Sequence, residues 1–259
     1  MSTESILVAQ DGAIARVLLN RPERRNALDR AMWRALCAAM RDLAADETVR
    51  CVVIAGSGEA FGAGADLAEF ERERATPAQA ESYGRLMVEA LDAIRLCPHP
   101  TIAAIRGTCM GAGLEVAVCC DLRIAAESAK FGAPIQKIGV VMPWPELALF
   151  VDLIGGAATL EMLLEGRVWP AGEAGVKGLV TRTVPDAALD GEVSETAARI
   201  ASGAPLSHRM HKLMVRRLAD PRPLDPAEFA AAYEAVSFED YREGIRAFLE
   251  KRAPTFRGK

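Results

Sequence analysis

The hydrophobic pattern of this chain alternates between short apolar runs and helical spacing. Residues 13–20 (AIARVLLN) read as a strand, which the proline and charges of NRPERRN end before Asp29 offers a helix N-cap. In the helix that follows, Met32, Ala35, Leu36, Ala39, Met40 and Leu43 share one face, leaving Arg34, Arg41 and Asp42 on the other. CVVIAG (51–56) is a continuous apolar run and reads as a buried strand, followed by the glycine-rich SGEAFGAGADL. The charged stretch from Glu69 to Gln79 reads as a mobile surface excursion. Met87, Ala90, Leu91 and Ile94 mark a second amphipathic helix, which CPHP ends before the short strand TIAAI (101–105). GTCMGAGLEVAVCCDLRIAA then reads as glycine-rich loop, helix and strand. Beyond Pro143 the pattern is almost wholly helical, interrupted by a strand-like LVTRTV (179–184), with helices around Pro205–Leu218 and Pro226–Leu249.

The order of elements predicts an α/β core over residues 1–190 and a helical C-terminal section over 191–259, with no internal repeat or flexible linker. At 259 residues and 51% hydrophobic content, the chain has the apolar surface for a core without covalent staples. Its six cysteines, 37, 51, 97, 109, 119 and 120, sit mostly in apolar runs without a CxxC pair; they read as small buried hydrophobes in a reducing cytoplasm. No uninterrupted apolar run approaches the roughly 18 residues that span a bilayer, so no membrane association is expected. A net charge of −4 argues against general nucleic-acid affinity, while leaving room for a local basic pocket that takes an anionic ligand.

Candidate chemistry lies in two glycine-rich loops. FGAGADL (61–67) and GTCMGAGLE (107–115) each follow a strand, and their small residues let a ligand approach backbone N–H groups that are free to point at it. The second loop also opens a helix, so the unsatisfied first turn favours an anion near Gly111 to Gly113. GAGLEV lacks the third glycine of GxGxxG and no GK[ST] follows, which disfavours dinucleotide and P-loop chemistry. Taken singly, either loop could be a plain connection; their pairing and order carry the signal.

LNRPERRNAL, FGAGADL, RGTCMGAGLEVAVCCDLRIAAESAKFGAP, EGRVWPAGEAGVKGLV and EGIRAFLEKRAPTF resemble successive signatures of the crotonase, or enoyl-CoA hydratase/isomerase, superfamily across nearly the whole chain. The resemblance implies a core of repeated ββα turns in a spiral, and C-terminal helices that pack a homotrimer or a dimer of trimers. It implies an acyl-CoA substrate, with no further cofactor and no metal, whose thioester enolate is held by the backbone N–H groups of Ala65 and Ala112. It also implies coenzyme A contacts from Arg25, Ala63, Ala65, Asp66 and Leu67, and from Phe248 and Lys251 reaching a neighbouring subunit's ligand. Read as residues alone, Arg25 is part of an ordinary solvated turn and Phe248 a core contact of an amphipathic helix.

Hydration of a 2-enoyl thioester needs one group to deprotonate water at C3 and another to protonate C2, work commonly shared by two carboxylates. Glu115 matches the first of the family's two glutamates, and stands in an apolar stretch where burial would raise its pKa. The second is missing: in FGAPIQKIG the position after the proline is Ile135. Hydration of a 2-enoyl-CoA is the leading expectation; an isomerase, a decarboxylase or a CoA-binding homologue of weak activity are the alternatives. Glu146, after Pro145, reads as a structural residue in the first turn of a helix, and Gln136 as a group that can only hydrogen-bond. Trp144 either lines the pocket or fills the core, and His208 with His211 lacks the third ligand of a zinc site.

Overall fold

The computed structural model describes residues 4–259. Its main sheet has six strands in the order β1 (Ile6–Asp11), β2 (Ile14–Leu19), β3 (Cys51–Gly56), β4 (Thr101–Ile105), β6 (Leu122–Ala126) and β9 (Arg182–Val184). β1 and β2 are antiparallel, and all later neighbours are parallel. A smaller sheet joins β5 (Thr108–Met110), β7 (Lys130–Gly132) and β8 (Trp169–Pro170).

The parallel strands are apolar because both of their faces are covered. Val52 and Ile54 of β3, with Ala103 and Ile105 of β4, point into the larger core. Cys51, Val53, Ile102 and Ala104, one residue out of phase, pack against Leu189, Val193 and Ala197 of α7 (Leu189–Ala201). The larger core is closed by α1 (Arg30–Ala45), α3 (Pro77–Arg95) and α4 (Gly111–Cys119). Asp29 caps α1 as expected, its side chain accepting the Met32 N–H at 2.8 Å. β1 lies ahead of the elements that the sequence pattern predicts; it opens on the apolar run 6–9, of which only Ile6 is buried.

Between β4 and α5 (Trp144–Glu165) the chain repeats a strand–strand–helix unit: β4, β5, α4, then β6, β7, α5. The first strand of each unit joins the large sheet and the second joins the small one. An isolated bridge between Gly62 and Cys109 extends the small-sheet position back to the first glycine-rich loop. Both loops therefore leave the same edge of the spiral, side by side.

Three other expectations change. Residues 69–79 are not an excursion but contain α2 (Phe70–Glu73) and the first turn of α3, which Thr76 and Gln79 fix with a capping box. The helix expected over 226–249 is two, α9 (Pro226–Ala231) and α10 (Glu239–Leu249), separated by a 3-10 turn. Buried Asp240 accepts the Arg257 and Gly258 N–H groups at 2.7 and 2.8 Å, so the start of α10 is fixed by the C-terminal tail rather than by helix propensity. By length and composition α5 is apolar enough to cross a bilayer, which a search for unbroken runs overlooks because charged residues interrupt it. Gly155 breaks α5 with φ 75° and ψ 161°, conformations that glycine adopts without strain. The remaining helices are α6 (Ala171–Val176) and α8 (Pro205–Arg217). α8 is tied to the sheet by Asp121, which meets Lys212 at 2.5 Å and Arg216 at 3.2 Å while accepting the Thr101 N–H at 2.7 Å.

Candidate active site

The two glycine-rich loops are bonded together through their backbones. Gly62 donates to the Thr108 carbonyl at 3.0 Å, and its own carbonyl accepts the Met110 N–H at 2.9 Å. Further along, α4 crosses the first loop so closely that a Cβ on Gly113 would lie 2.5 Å from the Gly62 oxygen. On its other side the first loop is held by the 25–28 turn. Ala63 donates to the Arg25 carbonyl, Leu28 donates to Gly64, and Asp66 donates back to Leu28. That turn is set by buried Asn26 at φ 58°, whose amide donates to Ser57 and Ala60 and whose oxygen accepts the Arg21 N–H.

This arrangement leaves two N–H groups over. In the parallel bridge to Leu28 the flanking residues, Gly64 and Asp66, make the bonds, so the N–H of Ala65 is outside the ladder. Ala112 lies in the first turn of α4, where N–H groups have no intrahelical acceptor. Among the described residues neither N–H has a protein partner. Both alanines line one cavity of about 690 Å³, together with Ala63 and Leu67 of the first loop and Glu115 one turn into α4.

The lining is completed by residues of α2 and α3 from Phe70 to Met87, the 3-10 turn Ile135–Ile138, residues 140–143 and the first turn of α5. Ile135 faces the cavity as an apolar side chain, while Gln136 turns away and donates to the Glu165 carbonyl at 3.3 Å. Glu146 departs from its expected role. It does stand in the first turn of α5, but it also lines the cavity together with Glu115 and the glycine-rich loops. Glu115 and Glu146 are 6% and 3% exposed, and each keeps a buried carboxyl oxygen without a hydrogen-bond partner. Burial, and then the charge of Glu146, push Glu115 up to about 8. Burial raises Glu146 to about 7 against the opposing pull of Arg74. A buried pair of this kind titrates as a unit and resists holding two negative charges.

Arg74, in the stretch expected to be a surface excursion, lines the same cavity. Its guanidinium carbon sits 4.4 Å from the Phe70 ring centroid and 4.2 Å from that of Tyr83, and its buried Nε has no partner. No periodicity marks this residue, because it stands in the three-residue connection between α2 and α3.

Other expected positions fall outside the cavity. Asp66 pairs with Arg21 at 2.9 Å, and Arg25 is exposed with a left-handed backbone at φ 51°. Phe248, 83% exposed, and Lys251 lie at the end of α10, away from their own chain's cavity lining. Trp144 neither lines the cavity nor fills the core; it is 85% exposed.

The enoyl-CoA hydratase/isomerase family model matches residues 9–259. This chain is a member of that family. The solved enoyl-CoA hydratase/carnithine racemase of Magnetospirillum magneticum is 50% identical and superposes with a TM-score of 0.98 over 100% of this chain and 97% of that one. The "Probable enoyl-CoA hydratase echA8" of Mycobacterium tuberculosis is 35% identical over 258 residues, 99% of each chain. The crotonyl-CoA hydratase of Syntrophomonas wolfei is 33% identical over 263 residues, again 99% of each. The fold is accordingly the crotonase fold, and the function is of the hydratase/isomerase type.

Proposed function

We propose that the protein hydrates a 2-enoyl-CoA thioester in the cavity between the two glycine-rich loops. The observation that carries the reading is the convergence there of the unpartnered N–H groups of Ala65 and Ala112 with buried Glu115. The two N–H groups form the oxyanion hole. They hold the thioester oxygen as it gains charge, each contributing on the order of 3 kcal/mol to transition-state stabilisation. Coenzyme A itself is the handle of the substrate, taken by Ala63, Ala65 and Leu67, with Asp66 in the same loop and Arg25 on the turn that supports it. Incubation with enoyl-CoA thioesters of increasing chain length should remove the conjugated absorbance. No turnover at any chain length refutes the reading.

The assembly is a homotrimer or a dimer of trimers. The support is an excess of apolar surface that one chain does not cover. Only 17% of the most apolar window of α5 is buried, and Leu160, Leu164, Leu213 and Leu218 stay exposed. In such an assembly Phe248 and Lys251 reach the ligand of a neighbouring subunit. Sedimentation should give a mass of three or six chains; a monomer refutes the assembly.

A further inference from the structure

We propose that Glu146 is the second catalytic carboxylate of this hydration, reaching the cavity from the first turn of α5 and doing the proton work for which Ile135 has no group, with Arg74 as the positioning cation of the pair. The proposal rests on the hydratase reading above and adds to it a residue, an element and a charge partner. A glutamate placed in the first turn only to favour the helix would face the N–H groups of that turn. Glu146 is instead 3% exposed, its buried Oε1 has no partner, and it lines the same cavity as Glu115. An unpaired buried carboxyl oxygen costs stability, and two of them in one cavity are retained for something other than packing.

The charges balance for the reaction. The ionisable groups facing the pair are Arg74 and Lys137 in the lining and Cys119 one turn beyond Glu115; Lys137 is exposed at the rim. Burial disfavours two carboxylates, and Arg74 disfavours two neutral acids, so between pH about 7 and about 8 the pair carries one proton and one negative charge beside one guanidinium. That is the state hydration consumes and restores. The ionised carboxylate takes a proton from water as the water oxygen bonds to C3, and the π pair of C2=C3 moves into the thioester as an enolate. The enolate then takes the proton of the other carboxyl at C2. One water has been added, and the pair still holds one proton, now on the other residue.

The test compares wild type, Glu146→Gln, Glu146→Asp and Arg74→Met on crotonyl-CoA, with affinity for unreactive butyryl-CoA as the control. Glu146→Gln should lower kcat by about 10²–10⁴-fold and leave butyryl-CoA affinity within about threefold of wild type. Glu146→Asp should recover part of the rate. The wild-type rate should be bell-shaped in pH, and Glu146→Gln should lose one limb. Arg74→Met should move both limbs to higher pH, because the cation favours the ionised pair. If wild type hydrates crotonyl-CoA while Glu146→Gln keeps its rate and both limbs, the proposal is overturned and the hydratase reading stands. Loss of butyryl-CoA affinity together with rate in Glu146→Gln marks a structural residue and also overturns it. Absence of wild-type turnover on every enoyl-CoA overturns the hydratase reading and takes this one with it.

Discussion

Gly113→Ala is the smallest change that should part the two loops. Its new methyl would meet the Gly62 carbonyl oxygen at 2.5 Å, the carbonyl carbon at 2.7 Å and the Cα at 2.8 Å. All three are backbone atoms of a loop bonded on both sides, so no side chain can rotate away. Restoring ordinary contact at 3.4 Å requires the first loop and α4 to separate by about 0.9 Å. Overpacking of this kind costs about 1–3 kcal/mol, which for a chain of this size lowers Tm by roughly 2–10 °C. The functional loss should be larger in proportion. Ala65 and Ala112 sit on the two parts being separated, and a misplacement of about 1 Å at reacting groups costs on the order of 100-fold in rate. Gly191→Ala is the matched control, since a methyl there meets nothing within 4 Å and the residue lies inside α7. It should stabilise by about 0.4–1 kcal/mol and leave the rate unchanged. Thermal unfolding and crotonyl-CoA hydration, measured on both variants, decide the matter. Wild-type Tm and kcat in Gly113→Ala would refute the reasoning that this glycine sets the spacing of the proposed oxyanion donors.

Two further outcomes follow from the buried ionisable groups. Glu115 has its folded-state pKa raised to about 8, so its contribution to stability is fully present below its ordinary carboxylate value and is lost as pH rises through 8. Relative to wild type, Glu115→Gln should therefore gain on the order of 3 kcal/mol between pH 5 and pH 8, read as a Tm difference that widens with pH; a difference independent of pH counts against a buried, protonated Glu115. The six thiols are free and buried, and burial pushes Cys51 and Cys120 up to about 12. A disulfide reagent at pH 8 should find almost no fast thiol in the native protein and six after denaturation; rapid labelling of the native protein would contradict the packing of the large sheet.

Much of the scaffold was legible along the chain. CVVIAG and TIAAI become β3 and β4 with the bounds that their runs suggest, because strands buried on both faces leave an unbroken apolar signature. Asp29 and the helical spacing after it fixed α1 for the same reason: its cap and buried face are local properties. The three-residue strands β5 and β7 carry no such signature, since they are held by pairing with each other rather than by their own pattern.

By itself the sequence determined the crotonase family, the two glycine-rich loops, the place of Glu115 and the absence of a carboxylate at position 135, all through motifs whose members lie within a few residues of each other. Only the tertiary structure decided that Glu146 and Arg74 belong to the same cavity. Arg74 comes from a short connection after α2 and Glu146 from the first turn of α5, and nothing in local spacing reports which way either side chain points. The direction is set by how α3, α4 and α5 pack around the loops, and that packing is a property of the whole core.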